Sequence, residues 1–159
     1  MGEKGLGLSP RLALTAFLLA LAACSMPQVV VLDDPLSARE HVDLGLSYEA
    51  QGRLDLARRE YLKAAAGQGD WATPHFNLGN IAYRERDLAA AESHFRKALS
   101  LEAGNPDIMN NLAVVLHELG RDAEARDLVV RAIAIRDREE YRDTLRVIDH
   151  GGAAEGSVP

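Results

Sequence analysis

Two stretches decide the fold: residues 75–83, HFNLGNIAY, and residues 91–98, AESHFRKA, whose pattern returns at a fixed distance on both sides. A step of 34 residues relates four columns of small or apolar residues. These columns are Leu44-Gly45, Leu78-Gly79 and Leu112-Ala113; Ala57, Ala91 and Ala125; Tyr61, Phe95 and Val129; and Ala64, Ala98 and Ala132. A period of this length is typical of a helical repeat, so the sequence predicts three copies of one unit.

Each unit contains two helical patterns separated by a turn, at Gly52-Arg53, Arg86-Asp87 and Gly120-Arg121. The small residues let two helix axes approach closely, and the larger apolar residues fill the space between successive helix pairs. The pattern predicts helices at about 38–51, 54–67, 72–85, 88–101, 106–119 and 122–135.

Residues at the predicted helix starts agree with this assignment. Ser37 and Glu40 have the spacing of a capping box, in which each side chain satisfies a backbone N–H of the first turn. Asn105, Pro106 and Asp107 provide an N-cap, a preset backbone angle and a favourable charge where the third unit begins.

The middle unit resembles a tetratricopeptide repeat, and the resemblance covers residues 38–137 as three units at 38–71, 72–105 and 106–137. The resemblance implies an all-α fold, a right-handed superhelical stack of three helix-turn-helix hairpins. It also implies that the first helices line a concave surface that binds a partner protein.

Beyond the third unit, Tyr141, Leu145 and Ile148 form a narrow apolar stripe in a segment that is otherwise mostly charged. A stack of repeats exposes an apolar face at its end, which an extra helix with a polar outer side covers. We therefore predict a capping helix at 138–150, with a partner-binding helix as the alternative, and a disordered tail at 151–159.

The amino-terminal segment has the layout of an export signal. Lys4 and Arg11 precede an uncharged and almost wholly apolar run, Leu12–Ala23. This run of twelve residues is shorter than the ~20 residues that a helix needs to cross a bilayer. The sequence thus predicts a signal peptide at residues 1–23 and no permanent membrane span there.

The end of this run, Leu21-Ala22-Ala23-Cys24, resembles the lipobox of bacterial lipoproteins. The resemblance implies that Cys24 carries the lipid and that 24–37 is an acylated tether. Ser25 after the cysteine implies an outer-membrane address facing the periplasm. Within the tether, residues 29–32 could form a short strand or a strap on the first helix.

The composition argues against other classes of protein. A formal charge of −6 does not suit nucleic-acid binding, which needs a basic surface. We find no catalytic motif, and we expect neither an enzyme, a cofactor nor a small-molecule substrate. His41 and His75 occupy equivalent places in adjacent units, too far apart for one zinc ion, so we expect no metal site.

The remaining candidate site is the concave surface. Its predicted contacts with an unidentified protein or peptide lie on the first helices, at a starting residue and at the residues three, seven and ten or eleven positions after it. They are Arg39, Val42, Leu46 and Glu49 in the first unit; Thr73, Phe76, Asn80, Tyr83 and Arg84 in the second; and Asp107, Asn110, Val114, His117 and Glu118 in the third. A clamp for a partner's terminal carboxylate is disfavoured, because Val42 and Leu46 are apolar where polar groups are needed.

The sequence therefore predicts a lipid-anchored periplasmic adaptor that binds a protein segment in its groove. By resemblance, such lipoproteins assist pilus, secretion or cell-wall machinery. The alternative is a self-associating structural lipoprotein of the envelope.

Overall fold

The computed structural model describes residues 34–155, with side chains described up to residue 150. Over these residues the chain forms seven α-helices and no strand. In chain order they are α1 (Ala38–Ala50), α2 (Leu54–Gly67), α3 (Ala72–Arg84), α4 (Leu88–Leu101), α5 (Pro106–Glu118), α6 (Asp122–Ile135) and α7 (Glu139–Glu155). The first six predicted helices are confirmed to within one residue at each end.

The helices pair as three antiparallel hairpins, α1 with α2, α3 with α4 and α5 with α6, and each hairpin packs on the next. The predicted all-α stack of hairpins is therefore confirmed. No helix within residues 34–155 is long and apolar enough to cross a membrane. The signal peptide, Cys24, the possible strand at 29–32 and the end of the predicted tail at 156–159 lie outside the described residues.

The predicted helix starts are confirmed. Ser37 and Glu40 form the complete capping box, and the Asn105 side chain accepts hydrogen bonds from the backbone N–H groups of Asp107 and Ile108. These bonds satisfy donors that have no partner within the helix.

The three hairpin turns share one backbone geometry at positions 34 residues apart. Gly52, Arg86 and Gly120 have φ angles of 73°, 65° and 74°, the left-handed conformation that favours glycine. In each turn the next residue donates its N–H back to a carbonyl five residues earlier, as Arg121 does to Leu116 over 2.8 Å. This is the Schellman motif, which closes a helix end.

The repeated small residues lie under large ones from the paired helix. Gly45 faces the Tyr61 ring and Gly79 faces the Phe95 ring, so closely that a Cβ atom at either glycine would overlap the ring. The third unit has Ala113 and the smaller Val129 in these columns, and both are fully buried. Size is therefore matched across each hairpin, which keeps the three hairpins similar in shape.

The last helix confirms the predicted cap and corrects its length. Tyr141 and Ile148 are buried, whereas Arg146 and Val147 are exposed. The predicted disordered tail begins too early, because α7 continues to Glu155. Residues 153–155, Ala-Ala-Glu, have high helix propensity and extend the helix past two glycines.

Candidate functional site

The first helices of successive hairpins contact one another, α3 with α5 and α5 with α7. Two adjacent cavities lie along these helices, of about 130 Å³ and 340 Å³. Tyr83 and Val114 line both cavities and separate them. We call this surface the inner groove and define it by Asn80, Tyr83, Asn111, Val114, His117, Thr144 and Val147.

The smaller cavity has an amide pair in its wall. The side-chain N–H of Asn111 donates to the Asn80 side-chain oxygen over 2.9 Å, which joins α5 to α3. This bond leaves Asn80 with N–H groups and Asn111 with an oxygen that can each form a further hydrogen bond. The two amides can thus offer both a donor and an acceptor to a bound backbone.

The larger cavity is bordered by aromatic and aliphatic surface with carboxylates at its edge. The Tyr83 hydroxyl donates to Glu118, and Arg86 pairs with the same carboxylate at 2.6 Å. This hydrogen bond, together with burial, raises the pKa of Tyr83 above its ordinary value. Tyr83 therefore stays neutral and fixed in direction between the two cavities.

A second carboxylate is held in the same way nearer the amino terminus. Glu49 on α1 accepts a hydrogen bond from the Tyr61 hydroxyl at 2.6 Å and is paired with Arg84 of α3 at 3.1 Å. Arg84 and Arg86 therefore both have an internal anion.

Five of the predicted contact residues line the cavities: Asn80, Tyr83, Val114, His117 and Glu118. His117 is only partly exposed and lies 2.6 Å from the Asp122 carboxylate. Leu46 is 48% exposed but lines neither cavity.

Other predicted contacts are engaged elsewhere. The assignment of Val42 to an accessible surface is wrong: it is 4% exposed and belongs to a buried cluster with Tyr61 and Leu78. Its apolar side chain packs between its own hairpin and the next one.

The side chains of Arg39, Phe76 and Asn110 also contact the protein itself. The Arg39 guanidinium lies 5.9 Å from the centre of the Trp71 ring. Phe76 packs against Phe95, with ring centres 5.9 Å apart. The Asn110 side-chain oxygen is buried without a hydrogen-bond partner. Thr73 is partly buried and lines neither cavity.

Sequence reasoning missed the share of α7 in the groove. Asp143, Thr144, Val147 and Ile148 all line the larger cavity. Ile148 is the residue 34 positions after Val114, a predicted contact, so extending the repeat by one step would have placed this helix beside the groove. The capping helix is therefore also a wall of the groove.

Among residues 34–155, no group of three or more His, Cys, Asp or Glu side chains is placed to hold a metal ion. One pair of histidines does meet: the His75 and His94 rings are stacked with centres 5.8 Å apart.

Comparison with known families gives two matches, both to models described as tetratricopeptide repeat, at residues 10–71 and 82–147. Together they cover more than half of the chain. The first match begins at residue 10, within the segment that we predict to be a signal peptide.

Two bacterial relatives match more than half of this chain. Cellulose synthase operon protein C of Pseudomonas fluorescens is 31% identical over 112 residues, which are 67% of this chain and 9% of that protein. Type IV pilus assembly protein PilF of Pseudomonas aeruginosa is 28% identical over 92 residues, 58% of this chain and 36% of that protein. The chain thus spans only a small part of these relatives' lengths.

A similar solved structure is the first tetratricopeptide domain of Spaghetti (RPAP3) bound to the HSP90 peptide SRMEEVD. It has a TM-score of 0.71 and 22% identity, and the alignment covers 76% of this chain and 96% of that one. This likeness supports the fold.

Proposed function

Because the chain belongs to the tetratricopeptide-repeat family, we propose that it is a non-catalytic adaptor that binds a segment of a partner protein in the inner groove. The observation that carries the proposal is the pair of adjacent cavities along α3, α5 and α7. They combine aromatic and aliphatic area with an amide pair, the kind of surface that anchors a peptide.

The solved structure adds support, since it is a domain of the same fold bound to a peptide. The acidic peptide SRMEEVD of that structure is a poor match for this groove. Arg84 and Arg86 are each paired with a carboxylate of this chain, so an incoming carboxylate would have to compete with Glu49 and Glu118. The proposed partner segment is therefore mainly apolar, and its backbone contacts the two amides.

We further propose that the adaptor is a lipoprotein anchored through Cys24 to the outer membrane and facing the periplasm. The support is the charged-then-apolar order before Leu21-Ala22-Ala23-Cys24. Several acyl chains, at ~0.8 kcal/mol per buried methylene, would hold the domain at the membrane. Tethering would raise the local concentration of a captured partner without new contacts.

The similarity to PilF, which is named as a pilus assembly protein, supports a role in the assembly of a protein complex of the cell envelope. Cys24→Ser should abolish incorporation of radiolabelled palmitate and release the protein from the membrane fraction. Continued membrane association of this variant with an unchanged amino terminus would contradict the anchor and leave the groove proposal standing.

The groove is tested by a matched pair of exposed valines on helices. Val147 is 58% exposed and lines the larger cavity, whereas Val130 is 41% exposed on α6 and lines neither groove cavity. Val147→Lys should reduce copurification of the partner at least tenfold, because it places a charge in an apolar contact. Val130→Lys should leave copurification unchanged, and equal loss in both variants would place the interface elsewhere.

The alternative, end-to-end self-association, gains no support from α7. A neighbouring molecule would have to cover its outer side, where Arg146 pairs with Asp143 and Glu139, and Arg142 pairs with Asp137. Sedimentation of the purified chain separates the two functions, since the adaptor is expected to be monomeric at all concentrations.

A further inference from the structure

One pair of equivalent positions carries different residues, with a different contact, in each repeat. It joins a residue of the first helix to a residue 19 positions later on the second helix. In the first repeat, His41 Nδ1 lies 2.7 Å from a Glu60 carboxylate oxygen. In the third repeat, Met109 and Leu128 occupy these positions and belong to one buried cluster.

The second repeat has two histidines at this pair of positions. The His75 and His94 rings are stacked, with an angle of 29° between them. His75 Nδ1 is buried and has no hydrogen-bond partner. The contact thus joins α3 to α4 through two titratable rings, with neither the carboxylate of the first repeat nor the apolar pair of the third.

Apart from the two rings themselves, the charges that shift the pKa values of His75 and His94 are positive. Lys97 on α4 lowers the pKa of His75, after the larger effects of burial and of His94. Arg58 on α2 lowers the pKa of His94, after the larger effect of burial. A proton on either ring would therefore be close to other cations and would lose solvation.

The two carboxylates that share a cavity with His94 are already engaged. Glu85 and Asp87 line the same cavity as His94. However, Glu85 pairs with Arg58, and the Asp87 side chain accepts the Ala90 backbone N–H at the start of α4. Neither carboxylate is placed to neutralise a charged ring at short distance.

We propose that the stacked His75–His94 pair is a proton-sensitive contact that holds α3 against α4 when both rings are neutral and loosens when either ring is protonated in mild acid. Because α3 carries Phe76, Asn80 and Tyr83, loosening would alter the inner groove. The consequence for partner binding rests on the proposed function, whereas the conformational effect does not.

The sign of the effect follows from the direction of the shifts. Both pKa values are lowered in the folded chain, so the unfolded chain binds these protons more readily. The stabilising contribution is complete above the unfolded pKa of about 6.5 and is lost as the pH falls below it. At about pH 5.5 the folded-to-unfolded ratio should fall by at most about tenfold per ring.

The test compares the full chain with a variant that copies the third repeat, His75→Met with His94→Leu. We measure urea unfolding at about pH 7.5 and 5.5. The factor by which the folded-to-unfolded ratio falls in acid should be at least fivefold smaller in the variant than in the wild-type chain. His150→Gln, a change at an exposed histidine of α7, should keep the full decrease. The same pH dependence in the wild-type chain and the double variant would overturn the proposal.

Two further measurements on the wild-type chain remain decisive even if the double variant fails to fold. Ring titration by NMR should give pKa values below 6.5 for both His75 and His94. Hydrogen exchange, corrected for intrinsic rates, should show α3 amides losing protection in acid more than α5 amides. Ordinary ring pKa values, or equal loss in both helices, would overturn the proposal without affecting the proposed groove.

Discussion

The close approach of Gly79 to Phe95 leads to a quantitative prediction about packing within a repeat. A Cβ atom at Gly79 would lie 2.6 Å from Phe95 Cε1 and 2.7 Å from Cδ1. Ordinary carbon contacts are about 3.5–4 Å, so the ring would have to move by about 1 Å. Phe95 is 1% exposed and packs among other buried side chains, with the smaller cavity of the inner groove on one side.

Gly79→Ala combines two opposing effects. Overpacking of a well-filled core costs about 1–3 kcal/mol, and the short distance puts this site in the upper part of that range. Replacing glycine by alanine inside a helix contributes about 1 kcal/mol of stability. We expect a net loss of about 1–2 kcal/mol in the free energy of unfolding.

The third repeat supplies the compensating change, because it carries Ala113 and Val129 at these positions. Phe95→Val alone should cost roughly 2–4 kcal/mol through lost burial and a cavity. In that background Gly79→Ala should be neutral or stabilising by up to about 1 kcal/mol, since the ring has been removed. The cycle thus predicts a coupling energy of about 1–3 kcal/mol.

Urea unfolding followed by far-ultraviolet circular dichroism measures each corner of the cycle. Gly67→Ala is the matched control, because its Cβ would meet only Ala38 Cβ, at the ordinary distance of 3.8 Å. It should be neutral or slightly stabilising. An equal cost of Gly79→Ala with and without Phe95 would refute the reasoning from size matching.

Two other substitutions test the stack. Arg86→Gly should raise the free energy of unfolding by about 0.5–1 kcal/mol, because Arg86 has a φ of 65° where the other two turns have glycine. The ion pair that this change removes is exposed, so its loss costs little. A lower thermal midpoint would contradict this prediction. Leu78→Asp should abolish cooperative unfolding, because it buries a carboxylate in a cluster that joins two hairpins; a native-like melting curve would contradict the predicted core.

The fold could be predicted because small residues recur at the same positions of each repeat. Ala57, Ala91 and Ala125 hold the same position in the three repeats, where a small side chain lets the paired helices approach closely. All three are completely buried. The turns were predictable for a similar reason, since two of the three use glycine for the left-handed conformation.

The site could be predicted only in part, because exposure depends on side-chain size and on neighbours that the period does not reveal. Val42 and Asn110 hold the same position in the first and third repeats, yet Val42 is buried by packing against α2 and α3, whereas Asn110 is only partly buried. The His75–His94 contact was missed because a spacing of 19 residues has no meaning within one helix. It becomes evident only when the hairpin brings the two helices together.

The most direct test of the account is photo-crosslinking in intact cells. A photoreactive residue at Thr144, which lines the larger cavity, is compared with one at the exposed Arg131 on α6. We predict that the Thr144 position yields a discrete protein adduct, identifiable by mass spectrometry, and that the Arg131 position does not. The same adducts from both positions, or none from Thr144 in membrane-bound protein, would contradict the claim that the inner groove binds a partner protein.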